Sequence, residues 1–256
     1  MENTEVVLFE KKEEVAILTF NRPQALNALN TKVNLKLLEF LGRAEQDDEV
    51  KVVILTGSGS KAFVAGGDIK EMFGKNAMEA RAYALQAKRV TDVIWNLGKP
   101  VIAAINGLCL GGGMEYAMAC DLRTASETAK FGQPEINIGI MPGSAGTQRL
   151  PRLIGMAKAK EFCFTGEMFG AKQALDLGLI NYVYPAFSLM EETLGLAAKI
   201  VSKSAPALSL IKSAINKGTE IDLESASMFE IDCFALCFAT EEQKKGMAAF
   251  VDKKKG

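Results

Sequence analysis

Two uniformly apolar runs, each leading to a glycine-rich bend, constrain the fold of this chain more than any other feature. Residues 52–56 read Val-Val-Ile-Leu-Thr, and residues 101–105 read Val-Ile-Ala-Ala-Ile. Strands of this kind are typical of a parallel sheet, because both of its faces are covered. A third run, residues 121–125, also leads to a bend, and helical patterns lie between the strands. The order predicts an α/β fold in which one ββα unit coils on itself.

The flanking segments predict a hairpin at the start of the chain and a helical region at its end. Val6–Phe9 and Val15–Phe20 are rich in strand-forming residues, and a charged segment separates them. Thr31 is the predicted N-cap of a helix that runs to about Ala44. After Pro142 the pattern is mainly helical, with one short strand predicted at Leu179–Tyr184.

Composition excludes several classes of function. The chain has 256 residues, a formal net charge of -1 and no histidine. Triads that use histidine and histidine metal sites are therefore impossible, and acid–base chemistry near neutral pH falls to carboxylates, Lys, Tyr or Cys. The balanced charge argues against a general nucleic-acid-binding or membrane-surface protein. We therefore expect no metal, no nucleic acid and no membrane among the partners.

The cysteines and the apolar segments indicate a reducing compartment. The cysteine count is 5, an odd number, and no CxxC pair occurs. Such cysteines are typical of reduced thiols packed in a core. The first residues carry no signal-peptide pattern, and no apolar stretch reaches the length of about 20 residues that a membrane-spanning helix needs. We therefore expect a cytoplasmic protein.

Two of the glycine-rich bends are candidates for binding a negative charge. Gly111–Gly113 precedes a predicted helix, and its backbone offers unpaired N–H groups to a ligand. This is the second bend in chain order. In the first bend, Gly67 precedes Asp68, which with Glu71 has the spacing of a capping box. Two such donors aimed at one point would form an oxyanion hole. The alternative is that the two bends are unrelated helix caps.

Two glutamates are candidates for acid–base catalysis. Glu115 is predicted to lie in the first turn of the helix that follows the second bend. Glu135 follows Pro134 and precedes the apolar run Ile136–Ile140, where a solvated charge is out of place. A shared buried site would separate the pKa values of the two carboxyls, so that one holds a proton while the other is ionised. A paired structural carboxylate is the alternative role for Glu135.

Motifs along nearly the whole chain closely resemble those of the enoyl-CoA hydratase (crotonase) family, in the same order and spacing. The motifs are Asn21-Arg22-Pro23, Asn27–Asn30, Ala65–Met72, Pro100–Gly107, Leu110–Glu115, Phe131–Glu135, Pro142-Gly143 and Gly146–Leu150. One departure concerns the first bend, where the usual Ala-Gly-Ala-Asp of the family is Ala-Gly-Gly-Asp. Gly67 still has its N–H group, so we expect the hole to be retained.

The resemblance implies a spiral of ββα units, with a core in residues 1–195 and a C-terminal helical region in residues 196–256. That region packs trimers in the family, and two trimers commonly stack as a hexamer. By motif, the N–H groups of Gly67 and Gly112 are the oxyanion donors, and Glu115 and Glu135 are the catalytic glutamates. The backbone that holds coenzyme A (CoA) is expected at Ala25, Leu26, Ala65, Gly67, Asp68, Ile69 and Gly112.

The reaction implied is the reversible hydration of a trans-2-enoyl-CoA to a 3-hydroxyacyl-CoA. CoA is part of the substrate, so no separate cofactor is expected. Retention of both glutamates favours hydration over the other acyl-CoA reactions of the fold, namely isomerisation, decarboxylation and dehalogenation. An RNA-binding role, as some relatives have, and a purely structural trimer are further alternatives. The near-zero net charge and the glutamate pair argue against RNA binding.

Overall fold

The structure, a computed structural model, describes residues 5–252, and its strands form two sheets. The large sheet has the order β1-β2-β3-β5-β7-β10, and the small sheet has the order β4-β6-β8-β9. The strands are β1 (Val7–Lys12), β2 (Val15–Phe20), β3 (Val52–Gly57), β4 (Ala62–Val64), β5 (Val101–Ile105), β6 (Leu108–Leu110), β7 (Leu122–Ser126), β8 (Lys130–Gly132), β9 (Phe169–Gly170) and β10 (Tyr182–Tyr184).

Helices surround the sheets and dominate the second half of the chain. They are α1 (Thr31–Gln46), α2 (Ile69–Met72), α3 (Ala77–Asn96), α4 (Gly112–Ala119), α5 (Gly146–Ile154), α6 (Met156–Thr165), α7 (Ala171–Asp176), α8 (Leu189–Val201), α9 (Ala205–Gly218), α10 (Leu223–Cys237) and α11 (Glu241–Asp252). Short 3-10 helices lie at Pro23–Ala25 and Pro134–Ile138.

Three successive units place one strand in each sheet and then form a helical segment. Strands β3, β5 and β7 lie side by side and parallel in the large sheet. Strands β4, β6 and β8 follow them and lie parallel in the small sheet. The segments after the small-sheet strands are α2, α4 and the 3-10 helix at Pro134–Ile138. This arrangement confirms the predicted spiral of ββα units.

The large sheet is covered on both faces, as its apolar strands predict. On β3, Val53 and Leu55 pack into the core shared with α1, α3 and α4, whereas Ile54 faces the opposite side. On that side, Ala197 of α8 is fully buried against the sheet. Alternate residues of one strand therefore fill two different hydrophobic clusters.

The C-terminal helices leave a large apolar surface exposed. The predicted boundary between residues 195 and 196 falls inside α8, which packs on the large sheet. Helix α10 packs chiefly on α9, and exposed apolar side chains on these two helices include Ile211, Ile215, Leu223, Ile231 and Phe234. The division into two domains stays a prediction.

Two local predictions were wrong in detail. Asn30, not Thr31, caps α1, because Asn30 has an extended backbone and its side chain accepts from the Val33 N–H group. The predicted strand at Leu179–Tyr184 is confined to Tyr182–Tyr184. Leu179 is instead tied to the end of α7, where its N–H group donates to the Ala174 carbonyl.

Within residues 5–252, no single helix is long and apolar enough to cross a membrane. The pair α8 and α9 reaches the required length and composition only when taken together, and it is bent by 102°. The signal-peptide prediction depends on the first residues, of which 1–4 lie outside the described part of the chain.

Candidate active site

One cavity of about 490 Å³ brings together the four residues predicted to carry the chemistry. Gly67 and Gly112 line it from the two bends, and Glu115 and Glu135 line it from α4 and the 3-10 helix. The other side chains of its wall are mostly apolar, with Leu29 and Met72 among them. A concave apolar site with few polar groups is typical of a small-molecule pocket.

The second bend supplies one N–H group through the start of α4. Gly112 is the first helical residue, so its N–H group has no partner within the helix. Gly111 precedes it with φ 51° and ψ -124°, a conformation that favours glycine. Its own N–H group donates to the Gly132 carbonyl at 2.9 Å and so ties the bend to β8.

The first bend supplies the other N–H group through a short parallel bridge between Leu29 and Gly67. The Leu29 N–H group donates to the Gly66 carbonyl at 2.9 Å, and the Leu29 carbonyl accepts from the Asp68 N–H group at 2.7 Å. The Gly66 carbonyl and the Gly67 N–H group belong to one trans peptide and point in opposite directions. The bridge therefore turns the Gly67 N–H group away from Leu29, and the group has no hydrogen-bond partner among residues 5–252.

The two bends approach each other closely. A Cβ atom built on Gly112 would lie 3.9 Å from the Gly67 nitrogen and 4.0 Å from Oε2 of Glu115. A substrate oxygen placed beside Gly112 would thus be within reach of both bends and of one carboxylate. The two bends therefore meet in the cavity, and the binding of one ligand by both N–H groups stays a prediction.

Glu115 is buried and held by backbone donors. Its Oε1 atom accepts from the Ser144 N–H group at 2.6 Å and from the Gly146 N–H group at 2.7 Å. Burial raises the pKa of Glu115 above its usual value, and these two hydrogen bonds act in the opposite direction. Ala145 stands between the donors with φ 76°, so the loop adopts a left-handed turn to point both N–H groups at the carboxylate.

Glu135 lies on the other side of the second bend with fewer donors. Burial raises its pKa to about 7, and the charge of Glu115 adds to the rise. In the amide orientation that satisfies both groups, the buried Gln133 side chain donates to the two Glu135 oxygens at 3.0 and 3.1 Å. The two carboxyls therefore differ in environment, because Glu115 receives two backbone donors, whereas burial raises the pKa of Glu135 to about 7.

The segments predicted to hold CoA meet beside the first bend. The Ala65 N–H group donates to the Leu26 carbonyl at 3.1 Å, which joins the Ala25-Leu26 turn to the strand end. Leu26 has φ 51°, and both Leu26 and Ile69 expose their apolar side chains. Asp68 is also at this edge, where an ion pair at 2.9 Å joins it to Arg22.

The predicted capping box at the first bend is only half formed. The Asp68 side chain accepts from the Lys70 N–H group, so Asp68 is the N-cap of α2. Glu71 does not reach back to it. Its carboxylate instead accepts from the Thr31 N–H group at 2.9 Å and from the Thr31 hydroxyl. The reason is that the start of α1 presents two donors to Glu71, and these satisfy both carboxylate oxygens.

Sequence reasoning missed the groups that orient the predicted residues. Tyr83 lines the cavity, and its hydroxyl donates to the Leu29 carbonyl at 3.0 Å. The sequence has a helical pattern over residues 77–97, and no local signal marks Tyr83 within it. The roles of Ser144 and Gly146 were also missed, although Ser144 follows the Pro142-Gly143 motif and Gly146 begins the Gly146–Leu150 motif.

Comparison with known proteins agrees with the family resemblance found in the sequence. The model of the family described as Enoyl-CoA hydratase/isomerase matches residues 10–256. A short-chain-enoyl-CoA hydratase of Clostridium acetobutylicum is 48% identical, over 97% of this chain and 95% of that protein. A crotonyl-CoA hydratase of Syntrophomonas wolfei is 46% identical, over 98% and 96%.

Solved structures show the same fold. The crystal structure of an enoyl-CoA hydratase from Bacillus anthracis superposes with a TM-score of 0.93 and 37% identity, over 97% of this chain and 96% of that one. A Geobacillus kaustophilus enoyl-CoA hydratase subunit has a TM-score of 0.93 and 41% identity, over 97% and 95%. This chain therefore belongs to the enoyl-CoA hydratase/isomerase family and has its fold.

Proposed function

We propose that this chain catalyses the reversible addition of water to a trans-2-enoyl-CoA, giving a 3-hydroxyacyl-CoA. The observation that carries the proposal is the single cavity lined by two bends with unused N–H groups and by two unlike carboxyls. Hydration of a conjugated thioester places negative charge on the carbonyl oxygen and moves two protons. The cavity contains the groups for both tasks.

The thioester oxygen is proposed to lie between the N–H groups of Gly67 and Gly112. These donors stabilise the enolate-like charge that develops when oxygen adds to C3 of the acyl chain. The loss of one such donor typically costs about 3–4 kcal/mol of transition-state stabilisation. Because the donors are backbone groups fixed by the fold, they need little rearrangement during the reaction.

We propose that Glu115 is the base and Glu135 the acid for hydration. The Ser144 and Gly146 N–H groups occupy Oε1 of Glu115 and favour its ionised form, while Oε2 faces Gly112. Glu135, with a pKa of about 7, carries a proton in a large part of the molecules at neutral pH. As the water oxygen bonds to C3, its proton passes to Glu115, and the Glu135 proton passes to C2. Proton exchange between the two carboxyls through solvent restores the starting state.

The CoA moiety is proposed to lie along the backbone of Ala25, Leu26, Ala65 and Ile69, with a short acyl chain in the cavity. Support for a short chain comes from the relatives named short-chain-enoyl-CoA hydratase and crotonyl-CoA hydratase. The proposed steps use only protein groups, so the reaction needs neither a metal nor a cofactor apart from the CoA of the substrate.

Trimers or hexamers are the proposed assembly, with the exposed apolar side chains of α9 and α10 in the contact. Burial of such a surface is favourable by about 25 cal/mol per Å². Light scattering of the purified protein tests this, and a monomer at micromolar concentration would contradict it. A cytoplasmic location stays a prediction, which fractionation of the native cells tests.

The decisive experiment is the loss of enoyl absorbance from crotonyl-CoA. We expect rapid loss with the native protein and a fall in kcat of at least about 100-fold in both Glu115→Gln and Glu135→Gln. Glu127→Gln is the matched control, because Glu127 is exposed and lies outside the cavity. If crotonyl-CoA binds without being hydrated, the function is another acyl-CoA reaction of this fold, and 3-enoyl-CoA isomerisation is the first to test.

The pH dependence of kcat/KM tests the acid–base assignment. The active form carries one proton on the carboxyl pair, so activity falls above pH about 7 as Glu135 loses its proton. At lower pH, activity falls as Glu115 becomes protonated. The residual activity of Glu135→Gln should lack the decline on the alkaline side. A native profile that stays flat well above neutral pH would contradict the assignment.

A further inference from the structure

The Tyr83 side chain reaches the back of the first bend from helix α3. Its ring lines the cavity, and its hydroxyl donates to the Leu29 carbonyl at 3.0 Å. Room for the hydroxyl exists because residue 67 is glycine. A Cβ atom built on Gly67 would lie 3.1 Å from the Tyr83 oxygen and 3.3 Å from the Met72 methyl group. The two side chains thus fill the space beside the Gly67 Cα atom that a Cβ atom would occupy.

Leu29 is the residue that fixes the direction of the Gly67 N–H group. Its N–H group holds the Gly66 carbonyl, and a trans peptide then points the Gly67 N–H group the opposite way. The carbonyl of Leu29 accepts two hydrogen bonds, one from the Asp68 N–H group and one from Tyr83. Tyr83 is the one side chain among these partners of Leu29, so its loss would leave the bridge held by backbone bonds alone.

We propose that Tyr83 is a positioning residue for the Gly67 N–H group and acts through the Leu29 carbonyl. The inference rests on the proposed function, because it assigns Tyr83 to the oxyanion hole of that reaction. Tyr83 is not a proton carrier in it. Burial raises the pKa of Tyr83 to about 12, with Glu71 and Asp68 adding to the rise, and its single proton is engaged by Leu29.

The hydroxyl can be removed without removing the ring. Tyr83→Phe keeps the packing in the cavity wall, and Lys75, whose ammonium lies 5.8 Å from the ring centroid, keeps its contact with the ring face. The variant therefore tests the loss of the hydrogen bond to Leu29 while the packing of the ring stays unchanged. Tyr182→Phe is the matched control, since it deletes a hydroxyl from an exposed tyrosine of β10.

The test measures crotonyl-CoA hydration together with the polarisation of a bound thioester. We expect kcat of Tyr83→Phe to fall about 5- to 10-fold while KM changes little, because a single hydrogen bond that orients a transition-state donor is lost. The probe for polarisation is a cinnamoyl-CoA with an electron-donating ring substituent. Its absorption band moves to longer wavelength when the carbonyl oxygen is hydrogen-bonded, and this shift should be smaller in Tyr83→Phe than in Tyr182→Phe.

Gly67→Ala provides a second, independent variant. Its methyl group would press on the Tyr83 hydroxyl, and this contact is relieved when residue 83 is Phe. The loss of kcat in Gly67→Ala/Tyr83→Phe should therefore be smaller than the product of the two single losses. Native kcat and a native band shift in Tyr83→Phe would overturn the inference. Absence of hydration and of a band shift in the native protein would instead overturn the proposed function.

Discussion

The two bends that face each other across the cavity are built in different ways. The second bend opens α4, a helix of eight residues in which every residue after Gly112 is buried. The first bend opens α2, a helix of four residues with none buried. One N–H donor thus belongs to the core, and the other lies on a short segment near the surface.

Different forces hold the two bends in place. Gly113 packs so closely on β4 that a Cβ atom there would lie 2.3 Å from the Val64 carbonyl oxygen. The first bend depends on polar side chains from elsewhere in the chain, namely Tyr83, Glu71 and the Arg22–Asp68 pair. The comparison indicates that the packing of α4 fixes the positions of Gly112 and Glu115. The position of the Gly67 N–H group instead depends on several side-chain contacts, and each contact contributes only a modest stabilisation energy.

The largest expected effect is on the second bend. Gly113→Ala would place a methyl group against the backbone of β4, which cannot move without disturbing the small sheet. We expect the free energy of unfolding to fall by about 3 kcal/mol or more. Urea denaturation measures this. Gly42→Ala in α1 is the control, because a Cβ atom there meets nothing within 4 Å. Equal stability of the two variants would contradict the rigid packing of this bend.

A pair of matched substitutions compares the residues just before the two donors. Gly111 and Gly66 both have positive φ, at 51° and 108°. A Cβ atom on Gly111 would lie 2.8 Å from Oε1 of Glu135, whereas one on Gly66 meets its nearest atom, the Leu110 carbonyl oxygen, at 3.7 Å. Both alanine variants carry backbone strain, but only Gly111→Ala also displaces the carboxyl that we propose as the acid.

We therefore expect kcat/KM to fall about 100-fold or more in Gly111→Ala and about 10-fold in Gly66→Ala. Initial rates with crotonyl-CoA measure both. If kcat/KM fell further in Gly66→Ala than in Gly111→Ala, the first bend would be the more rigid of the two bends. That result would contradict the difference in rigidity argued above.

The next effect concerns the Arg22–Asp68 ion pair, which helps to hold the first bend in place. Arg22→Gln removes the partner of Asp68 and a hydrogen bond to the Ala28 carbonyl. Burial acts to raise the pKa of Asp68, but the hydrogen bond and charge of Arg22 outweigh it, so the folded pKa is lowered. A carboxyl with a lowered pKa contributes stability that is fully present when the pH is above its pKa in the unfolded chain. This stability is lost as the pH falls through the pKa of the folded state.

We therefore expect Arg22→Gln to lower the free energy of unfolding by about 1–2 kcal/mol at pH 7. The difference from the native protein should shrink as Asp68 becomes protonated in acid. Urea denaturation at several pH values measures it. A difference that stays constant into acid would show that the hydrogen bond to Ala28, not the ion pair, braces the bend.

The same contrast explains what the sequence predicts and what it does not. The buried strands and the glycine–glutamate motif of α4 are local patterns, so their elements are predictable from neighbouring residues. The meeting of Gly67 with Gly112 depends on how two strands lie side by side in the small sheet, which no local pattern encodes. Tyr83 was missed because a helical pattern over 77–97 does not tell which residue of the helix faces the cavity. Glu71 was misassigned because a distant pair of donors on Thr31 replaced its local partner.

The smallest expected effect tests that distant contact. Glu71→Gln keeps an oxygen that accepts from the Thr31 N–H group but loses the charge that strengthens the bond. The first bend should remain folded with a slightly looser link to α1, and we expect kcat to fall about twofold with no measurable change in stability. Glu79→Gln, at the exposed start of α3, is the matched control. If Glu71→Gln lost as much activity as Gly66→Ala, the first bend would depend on this one contact. It would then lack the shared support of several side chains that distinguishes it from the second bend.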